Sequence, residues 1–139
     1  MTSKDVDSNP IVVSISCITY NHAPFIRQCL DGFMMQKTDF AFEVLIHDDA
    51  STDGTSEMVQ SQFPSVHIIK GDGNLFWNRG MHLAWSEAVK VGYEFYVWLN
   101  DDVILKPYFM DELLHSYSLA GKMSVVSGVI VDVGDGHVI

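Results

Sequence analysis

The sequence is poor in basic residues and in cysteine. Lysine and arginine together number 8 among 139 residues, against 18 aspartates and glutamates, so the net charge is −10. No basic stripe runs along the chain, and nucleic acid is therefore not expected as a partner. The two cysteines, Cys17 and Cys29, lie in apolar segments. They are expected to be small buried hydrophobic side chains, because a core of this size does not need a disulfide.

Long apolar runs are absent as well. No stretch reaches the length of about 20 residues that a bilayer span requires. The first ten residues are polar, unlike the start of a secretory signal peptide. We therefore expect a cytoplasmic protein, with any membrane contact limited to the peripheral inner face. Residues 1–10 are expected to be a disordered lead-in, and residues 11–139 to form a single domain.

Strand-like and helix-like patterns alternate through the rest of the chain. Apolar runs rich in β-branched and aromatic residues predict five strands, at residues 11–18, 42–47, 66–69, 95–99 and 123–131. Helical spacing and turn residues predict four helices, over residues 25–34, 55–62, 81–89 and 109–117. The alternation is typical of βαβ units. The predicted fold class is therefore α/β, with a mainly parallel central sheet and helices on both faces.

Two acidic doublets come directly after strand-like runs. The first is Asp48-Asp49, and the second is Asp101-Asp102, preceded by Asn100. Charged side chains cannot stay unpaired in a core, so each doublet marks the end of a strand. Because ligands bind at the carboxyl ends of strands in open α/β sheets, we expect the doublets to share one cleft. Oxygen ligands suit Mg²⁺ or Mn²⁺, with phosphates and water completing the coordination.

Other interpretations of the doublets stay open. Ser51, Thr52 or Asp53 could cap the next helix, and at least one of them is expected to do so. The same segment has part of the pattern of a calcium-binding EF-hand loop that begins at Asp49. However, its twelfth position is Gln60 instead of the required glutamate, and it follows a strand instead of a helix. The plainer interpretation of the second doublet is a solvated turn.

Few other residues suggest chemistry. Tyr20, in the loop after the first strand, could stack on a flat ring or simply pack that loop. The six histidines show no metal-ligand spacing and are expected to be surface or supporting residues. His47 is the exception of interest, because it borders the first doublet. The sequence contains no nucleophile elbow and no phosphate-cradling glycine-rich loop.

Three segments together resemble the inverting nucleotide-sugar glycosyltransferases of family 2, which have the GT-A fold. They are residues 13–21, 48–55 and 98–102, and their order and spacing agree with the family over roughly residues 11–132. Residues 73–81 also resemble a connecting segment of some bacterial members. The resemblance implies the Rossmann-like, nucleotide-binding half of a GT-A domain, shortened so that most of the acceptor-binding half is missing.

The resemblance implies a nucleotide site on the first two loops. Thr19 and Tyr20, with the adjacent Asn21, would line the nucleobase pocket. Asp49, next to Asp48, would accept a hydrogen bond from an N–H group of the base.

The resemblance also assigns the second doublet. Asn100-Asp101-Asp102 is similar to the DXD motif of the family, with Asn100 replacing a potential charged ligand. Asp101 would lie near the ribose or the metal. Asp102 would bind the divalent cation that bridges the diphosphate and stabilises charge on the leaving group.

An inverting transfer also needs a general base for the acceptor hydroxyl. In the family this Asp or Glu lies in the second half of the domain, so we expect it beyond Ile139. Asp132 and Asp135 come too early to fill the role. The chain alone is therefore expected to bind the donor but to transfer little or no sugar. Its unfinished sheet edge is expected to favour self-association.

The favoured function is a bacterial glycosyltransferase domain that acts in cell-surface polysaccharide or glycan synthesis. It would bind a UDP- or dTDP-linked sugar through a divalent metal and transfer the sugar to a glycan or lipid-linked acceptor. The first alternative is a non-catalytic module that binds nucleotide and metal. The second is a nucleotidyltransferase, for which a glycine-rich loop with a basic residue would be expected after the first strand. The corresponding loop here, residues 19–24, contains no glycine.

Overall fold

A four-stranded parallel sheet forms the centre of the protein in a computed structural model, which describes residues 11–138. The strands follow the order β3-β2-β1-β4 across the sheet, and every neighbouring pair is parallel. Their bounds are β1 Ile11–Thr19, β2 Ala41–Asp48, β3 His67–Lys70 and β4 Phe95–Asn100. The predicted α/β class is confirmed. The predicted disordered lead-in at residues 1–10 lies outside the described residues.

Four helices accompany the strands, namely α1 Ala23–Met34, α2 Thr55–Gln62, α3 Phe76–Val91 and α4 Phe109–Ala120. Pro24 stands in the first turn of α1, where a missing N–H group costs nothing. Gly92 ends α3 with a φ of 85°, a left-handed conformation that glycine adopts without strain. The sequence pattern thus predicted all four helices. None of the helices in residues 11–138 has both the length and the hydrophobicity that crossing a membrane requires.

Side chains alternate between the two faces of the sheet. The larger core lies between the sheet and α1, α2 and α4, and its buried residues are Val13, Ile15, Cys17, Ile26, Cys29, Leu30, Phe33, Val44, Ile46, Val59, Phe63, Val66, Val97 and Met110. On the other face, Leu45 packs with Ala88 of α3 and with Tyr93. Both cysteines are free and buried, as predicted. Burial, aided by the nearby Asp101 and Asp102, raises the pKa of Cys29 to about 12.

The predicted fifth strand at residues 123–131 is wrong. Val131 forms only an isolated antiparallel bridge with Val138, and Met123 and Val125 are fully exposed. β-Branched composition reflects how well a side chain packs on a sheet, and a strand also needs a neighbour with which to exchange hydrogen bonds. Within the described part of the chain, this segment has no such neighbour, since β4 pairs with β1 alone.

The strand register brings the two acidic doublets to the same edge of the sheet. At the carboxyl end of β1, Thr19 is paired with Asp48 of β2, and Ile18 is paired with Asn100 of β4. The two doublets therefore lie on either side of the end of β1. Two strand spacings, about 10 Å in total, separate β2 from β4.

Candidate functional site

A cleft of about 450 Å³ opens at this carboxyl edge. Its lining residues come from the ends of β1 and β4, from the loop after β4 and from the first turn of α3, and they are Ile18, Trp77, Asn100, Asp101 and Asp102. The second doublet thus lines the cleft. The first doublet lies at the same edge but outside this lining.

The two carboxylates of the second doublet have different surroundings. Asp101 is buried, and Nδ1 of His22 lies 3.2 Å from its Oδ1 and 3.1 Å from its Oδ2. Asp102 is exposed. In residues 11–138, no group of three or more His, Cys, Asp or Glu side chains could hold a metal ion. At the cleft, the second doublet therefore offers one exposed carboxylate, beside a second that His22 holds in place.

Asp48 is a buried residue that fixes the turn after β2. Its Oδ1 accepts a hydrogen bond from the backbone N–H of Ser51 at 2.9 Å. Its Oδ2 accepts a hydrogen bond from the hydroxyl of Ser56, in the first turn of α2. A carboxylate at the N-terminus of a helix, as here at α2, also interacts favourably with the helix dipole. Asp48 thus holds the turn after β2 in place, and its buried carboxylate does not face the solvent.

Asp49 holds the loop that leads into α3. Its Oδ1 accepts a hydrogen bond from the N–H of Gly73 at 2.9 Å. Its Oδ2 accepts hydrogen bonds from the N–H groups of Leu75 at 3.1 Å and Phe76 at 3.2 Å. A carboxylate has about four acceptor positions, so these donors leave about one for a ligand. Asp49 is also buried.

Not all of the predicted nucleotide-binding residues at the end of β1 and in the following loop are exposed at the surface. Thr19 is buried and Tyr20 is 56% exposed. Asn21 ties this loop to the loop after β2, since its Oδ1 accepts a hydrogen bond from the N–H of Thr52 at 2.8 Å. Its own N–H donates to Oγ of Ser51 at 2.9 Å. The first two loops thus form one connected surface next to the cleft.

The N-cap of α2 is Gly54, not one of the predicted residues Ser51, Thr52 or Asp53, although Asp53 contacts the first N–H group of the helix. Its Oδ1 accepts a hydrogen bond from the N–H of Thr55, the first residue of α2, at 3.1 Å. Its Oδ2 accepts one from the N–H of Ala23, the first residue of α1, at 3.1 Å. The hydrogen bond from the Thr55 hydroxyl is the main cause that lowers the pKa of Asp53. The EF-hand interpretation loses support, because Asp49 and Asp53 face N–H donors instead of a common centre.

Backbone strain is concentrated at the same edge of the sheet. In residues 11–138, the non-glycine residues with positive φ are Asn21 at 50°, Ala50 at 61° and Phe76 at 52°. Asn21 and Ala50 lie in the loops that follow β1 and β2, and Phe76 is the first residue of α3, at the end of the loop that follows β3. Such conformations are uncommon outside glycine, and they cluster at functional sites where the surrounding structure enforces them. The three loops are therefore held in defined shapes around the edge.

His47 is completely buried beside the first doublet. Neither of its ring nitrogens has a hydrogen-bond partner in the described part of the chain. Two glycines make room for the ring, because a Cβ at Gly71 would lie 2.6 Å from its Cε1 and a Cβ at Gly80 would lie 3.0 Å from its Nδ1. Burial lowers the pKa of His47. The imidazole is therefore a neutral packing element under the loop before α3.

Sequence reasoning did not single out His22 or Trp77 as individual site residues. Nε1 of Trp77 donates a hydrogen bond to Oδ1 of Asn100 at 3.0 Å, across the cleft lining. Trp77 belongs to the segment 73–81 that resembles a family connecting segment. This resemblance is the sequence feature that could have identified Trp77 as a site residue. His22 carried no local signal, because its partner is 79 residues away in the sequence.

A parallel sheet of this strand order is typical of doubly wound α/β domains, in which ligands bind at the carboxyl ends of the strands. The sequence model of Glycosyl transferase family 2 matches residues 14–138. The chain belongs to this family.

Curated relatives match a shorter stretch. The chain is 51% identical over 47 residues to the uncharacterized protein Rv1520 of Mycobacterium tuberculosis (strain ATCC 25618 / H37Rv). It is equally similar to the uncharacterized protein Mb1547 of Mycobacterium bovis. Each match covers 34% of this chain and 14% of the relative. The matched stretch is therefore a small part of these longer proteins.

Solved structures share the fold. The crystal structure of S. aureus TarS 1-349 in complex with UDP-GlcNAc has a TM-score of 0.65 and 22% identity, and the match covers 76% of this chain and 30% of that one. The mannosyltransferase PcManGT from Pyrobaculum calidifontis, in complex with GDP-Man and Mn²⁺, has a TM-score of 0.51 and 29% identity. That match covers 70% of this chain and 29% of the mannosyltransferase. The chain thus spans about a third of the structures it resembles.

Proposed function

We propose that this chain binds the donor of a glycosyl transfer, a UDP- or dTDP-linked sugar, in the cleft at the carboxyl edge of the sheet. The observation that carries the proposal is the motif Asn100-Asp101-Asp102, which lines that cleft in a chain of Glycosyl transferase family 2. The complexes of TarS with UDP and UDP-GlcNAc and of PcManGT with GDP-Man support a nucleotide-sugar donor. The proposed acceptor is a glycan or a lipid-linked glycan, in cell-surface polysaccharide synthesis.

The nucleoside would lie across the loops after β1 and β2. Tyr20 is exposed there and can stack on the base. Asn21 holds the two loops together, and Asp49 keeps about one acceptor position for a base N–H. Thr19 and Asp48 would act through the loop backbone, because both side chains are buried.

A divalent cation, Mg²⁺ or Mn²⁺, would connect the diphosphate to the second doublet. Asp102 has an exposed carboxylate, and Asp101 lies next to it. This donor set fits a hard cation that takes most of its ligands from phosphate and water. Mn²⁺ in the complex of PcManGT supports the choice. The bound cation would stabilise the negative charge that develops on the leaving diphosphate, and it would offset the repulsion between an anionic ligand and a chain of net charge −10.

Titration calorimetry tests the proposal. UDP, dTDP and GDP are titrated into the chain with Mn²⁺, with Mg²⁺ and after chelation by EDTA. We expect binding of at least one nucleoside diphosphate, with an affinity that falls about tenfold or more on chelation. Two opposite unit charges about 4 Å apart near a protein surface attract by about 4 kcal/mol, and about 1.4 kcal/mol corresponds to a tenfold change in affinity. Absence of binding would contradict the proposal, and equal affinity after chelation would contradict the proposed role of the metal in nucleotide binding.

Product analysis then tests whether the chain transfers sugar by itself. The chain is incubated with UDP- and dTDP-linked sugars and a panel of glycan acceptors. A glycosylated product would support transfer by this chain. Donor binding without product would agree with the non-catalytic module and equally with a transferase part that lacks its general base. The location of the chain in the cytoplasm, with peripheral contact at the inner membrane face, stays a prediction.

A further inference from the structure

Trp77 is the aromatic residue among those that line the cleft. Its side chain is 48% exposed, although it lies at the start of α3 next to the sheet edge. The other lining residues provide one aliphatic side chain, one amide and two carboxylates. The cleft thus has an aromatic wall next to a set of hydrogen-bonding groups, the combination by which small-molecule sites orient a ligand.

The position of the indole is determined by the loop that precedes it. Phe76, the residue before Trp77, has a φ of 52°, and its N–H donates to Oδ2 of Asp49. The same carboxylate oxygen accepts a hydrogen bond from Leu75. At the other end of the indole, Nε1 donates to Oδ1 of Asn100 at 3.0 Å. The aromatic wall is therefore held from both sides and links the two acidic doublets.

The hydrogen bond from Trp77 also orients the amide of Asn100. The indole N–H can only donate, so the amide oxygen must face it. The amide nitrogen is then directed away from Trp77, and it remains available as a donor beside the carboxylate acceptors of Asp101 and Asp102. An aspartate at position 100 could accept from the indole but could not supply this donor.

These groups match the chemistry of a pyranose ring. A sugar has C–H faces that pack on aromatic rings and hydroxyl groups at its edge that both donate and accept hydrogen bonds. A diphosphate has no apolar face, and the base would lie over the first two loops at the far side of β1. We propose that Trp77 is a specificity-determining residue that covers one face of the donor's sugar ring, while the amide of Asn100 donates to a sugar hydroxyl. This inference rests on the proposed donor-binding function.

The test compares two ligands that differ only in the sugar. UDP and UDP-GlcNAc, or GDP and GDP-Man if the guanine nucleotides bind better, are titrated with Mn²⁺ into the wild-type chain and into Trp77→Ala and Trp77→Phe. We expect Trp77→Ala to weaken binding of the nucleotide sugar about tenfold and to leave the nucleoside diphosphate within about twofold. Trp77→Phe keeps a ring but loses the N–H donor, so about a threefold loss, again confined to the nucleotide sugar, is expected.

The matched controls are Trp85→Phe and Trp98→Phe. These two rings pack edge to face, with centroids 5.6 Å apart, and neither lines the cleft. Both variants should bind both ligands as the wild type does. If Trp77→Ala does not fold, Trp77→Phe decides the outcome by the same comparison.

Equal losses for the two ligands, or no loss for either, would overturn the assignment of Trp77 to the sugar. Failure of the wild-type chain to bind any of these four ligands or dTDP would instead contradict the proposed function itself, and the inference with it. The two failures are distinguishable, because only the second appears before any residue is changed.

Discussion

Nδ1 of His22 lies 3.1 Å from Oδ2 of Asp101, and this pair joins the loop after β1 to the loop after β4. Asp101 is buried, so its carboxylate depends on partners within the protein. Asp102 next to it is exposed. His22 therefore keeps one carboxylate of the cleft in place and leaves the other available to a ligand.

We expect His22→Ala to weaken metal-dependent binding of the nucleoside diphosphate about tenfold, since the loss of one hydrogen bond to a charged group is worth roughly 1.5 kcal/mol. The physical reason is that Asp101 loses its partner and the loop after β4 relaxes. His22→Asn, which keeps a donor, should recover part of the affinity. Calorimetry with Mn²⁺ measures the effect, and His115→Ala, an exposed histidine on α4, is the control. Wild-type affinity in His22→Ala would refute the role.

Asp49→Asn and Asp102→Asn are expected to fail in different ways. An amide at position 49 would direct its NH₂ group at backbone donors, so we expect a loss of about 1.5–3 kcal/mol in the free energy of unfolding and weaker nucleotide binding. Asp102 is exposed, so Asp102→Asn should leave stability unchanged and remove the dependence of binding on metal. Denaturant unfolding and calorimetry with and without Mn²⁺ measure the two effects.

The control for this pair is Asp39→Asn, which removes an exposed carboxylate before β2, away from the carboxyl edge. It should match the wild type in both measurements. If Asp49→Asn and Asp102→Asn both kept wild-type affinity and metal response, the nucleotide and metal would have to bind elsewhere.

His47 should make the protein sensitive to acid. Burial lowers the pKa of its imidazole, although the nearby Asp49, Asp48 and Asp72 oppose the shift. Below the unfolded pKa of about 6.5, the unfolded chain binds a proton that the folded chain resists. This contribution to stability is therefore complete above about pH 6.5 and is lost as the pH falls below it. His47→Gln removes the titration, so its free energy of unfolding should fall less between about pH 7 and 5.

His82→Gln is the control for this measurement, because His82 is an exposed histidine on α3. The free energy of unfolding of His82→Gln should show the same pH dependence as that of the wild type. Identical slopes for the wild type and His47→Gln would contradict the prediction.

Self-association is expected at the outer edge of β4. In the described residues β4 is hydrogen-bonded to β1 alone, and Trp98 on this strand is half exposed. Free edge strands with apolar side chains pair with one another, and a lysine at the edge opposes this. We expect sedimentation to show a dimer that forms with increasing concentration and is weakened by Trp98→Lys. Ile104→Lys, which changes an exposed residue outside the strand, is the control, and a monomer at every concentration would refute the prediction.

Local patterns predicted most of the fold. The alternating elements follow from the spacing of apolar residues. The start of α1 follows from Pro24, and the end of α3 follows from Gly92. The segment 123–131 has the same β-branched composition as the true strands, yet it has no strand neighbour in the described structure. Composition indicates what could join a sheet, whereas membership depends on a hydrogen-bonded partner.

The sequence by itself determined that Asp48-Asp49 and Asp101-Asp102 end strands and lie at one edge, because parallel strands have their carboxyl ends at the same side. Only the tertiary structure decided which of these carboxylates reaches the cleft. Asp49 is directed towards backbone N–H groups more than twenty residues later in the chain. Such partners meet only when β2 and β3 pair and bring the loops at their carboxyl ends together, so no local pattern can predict them.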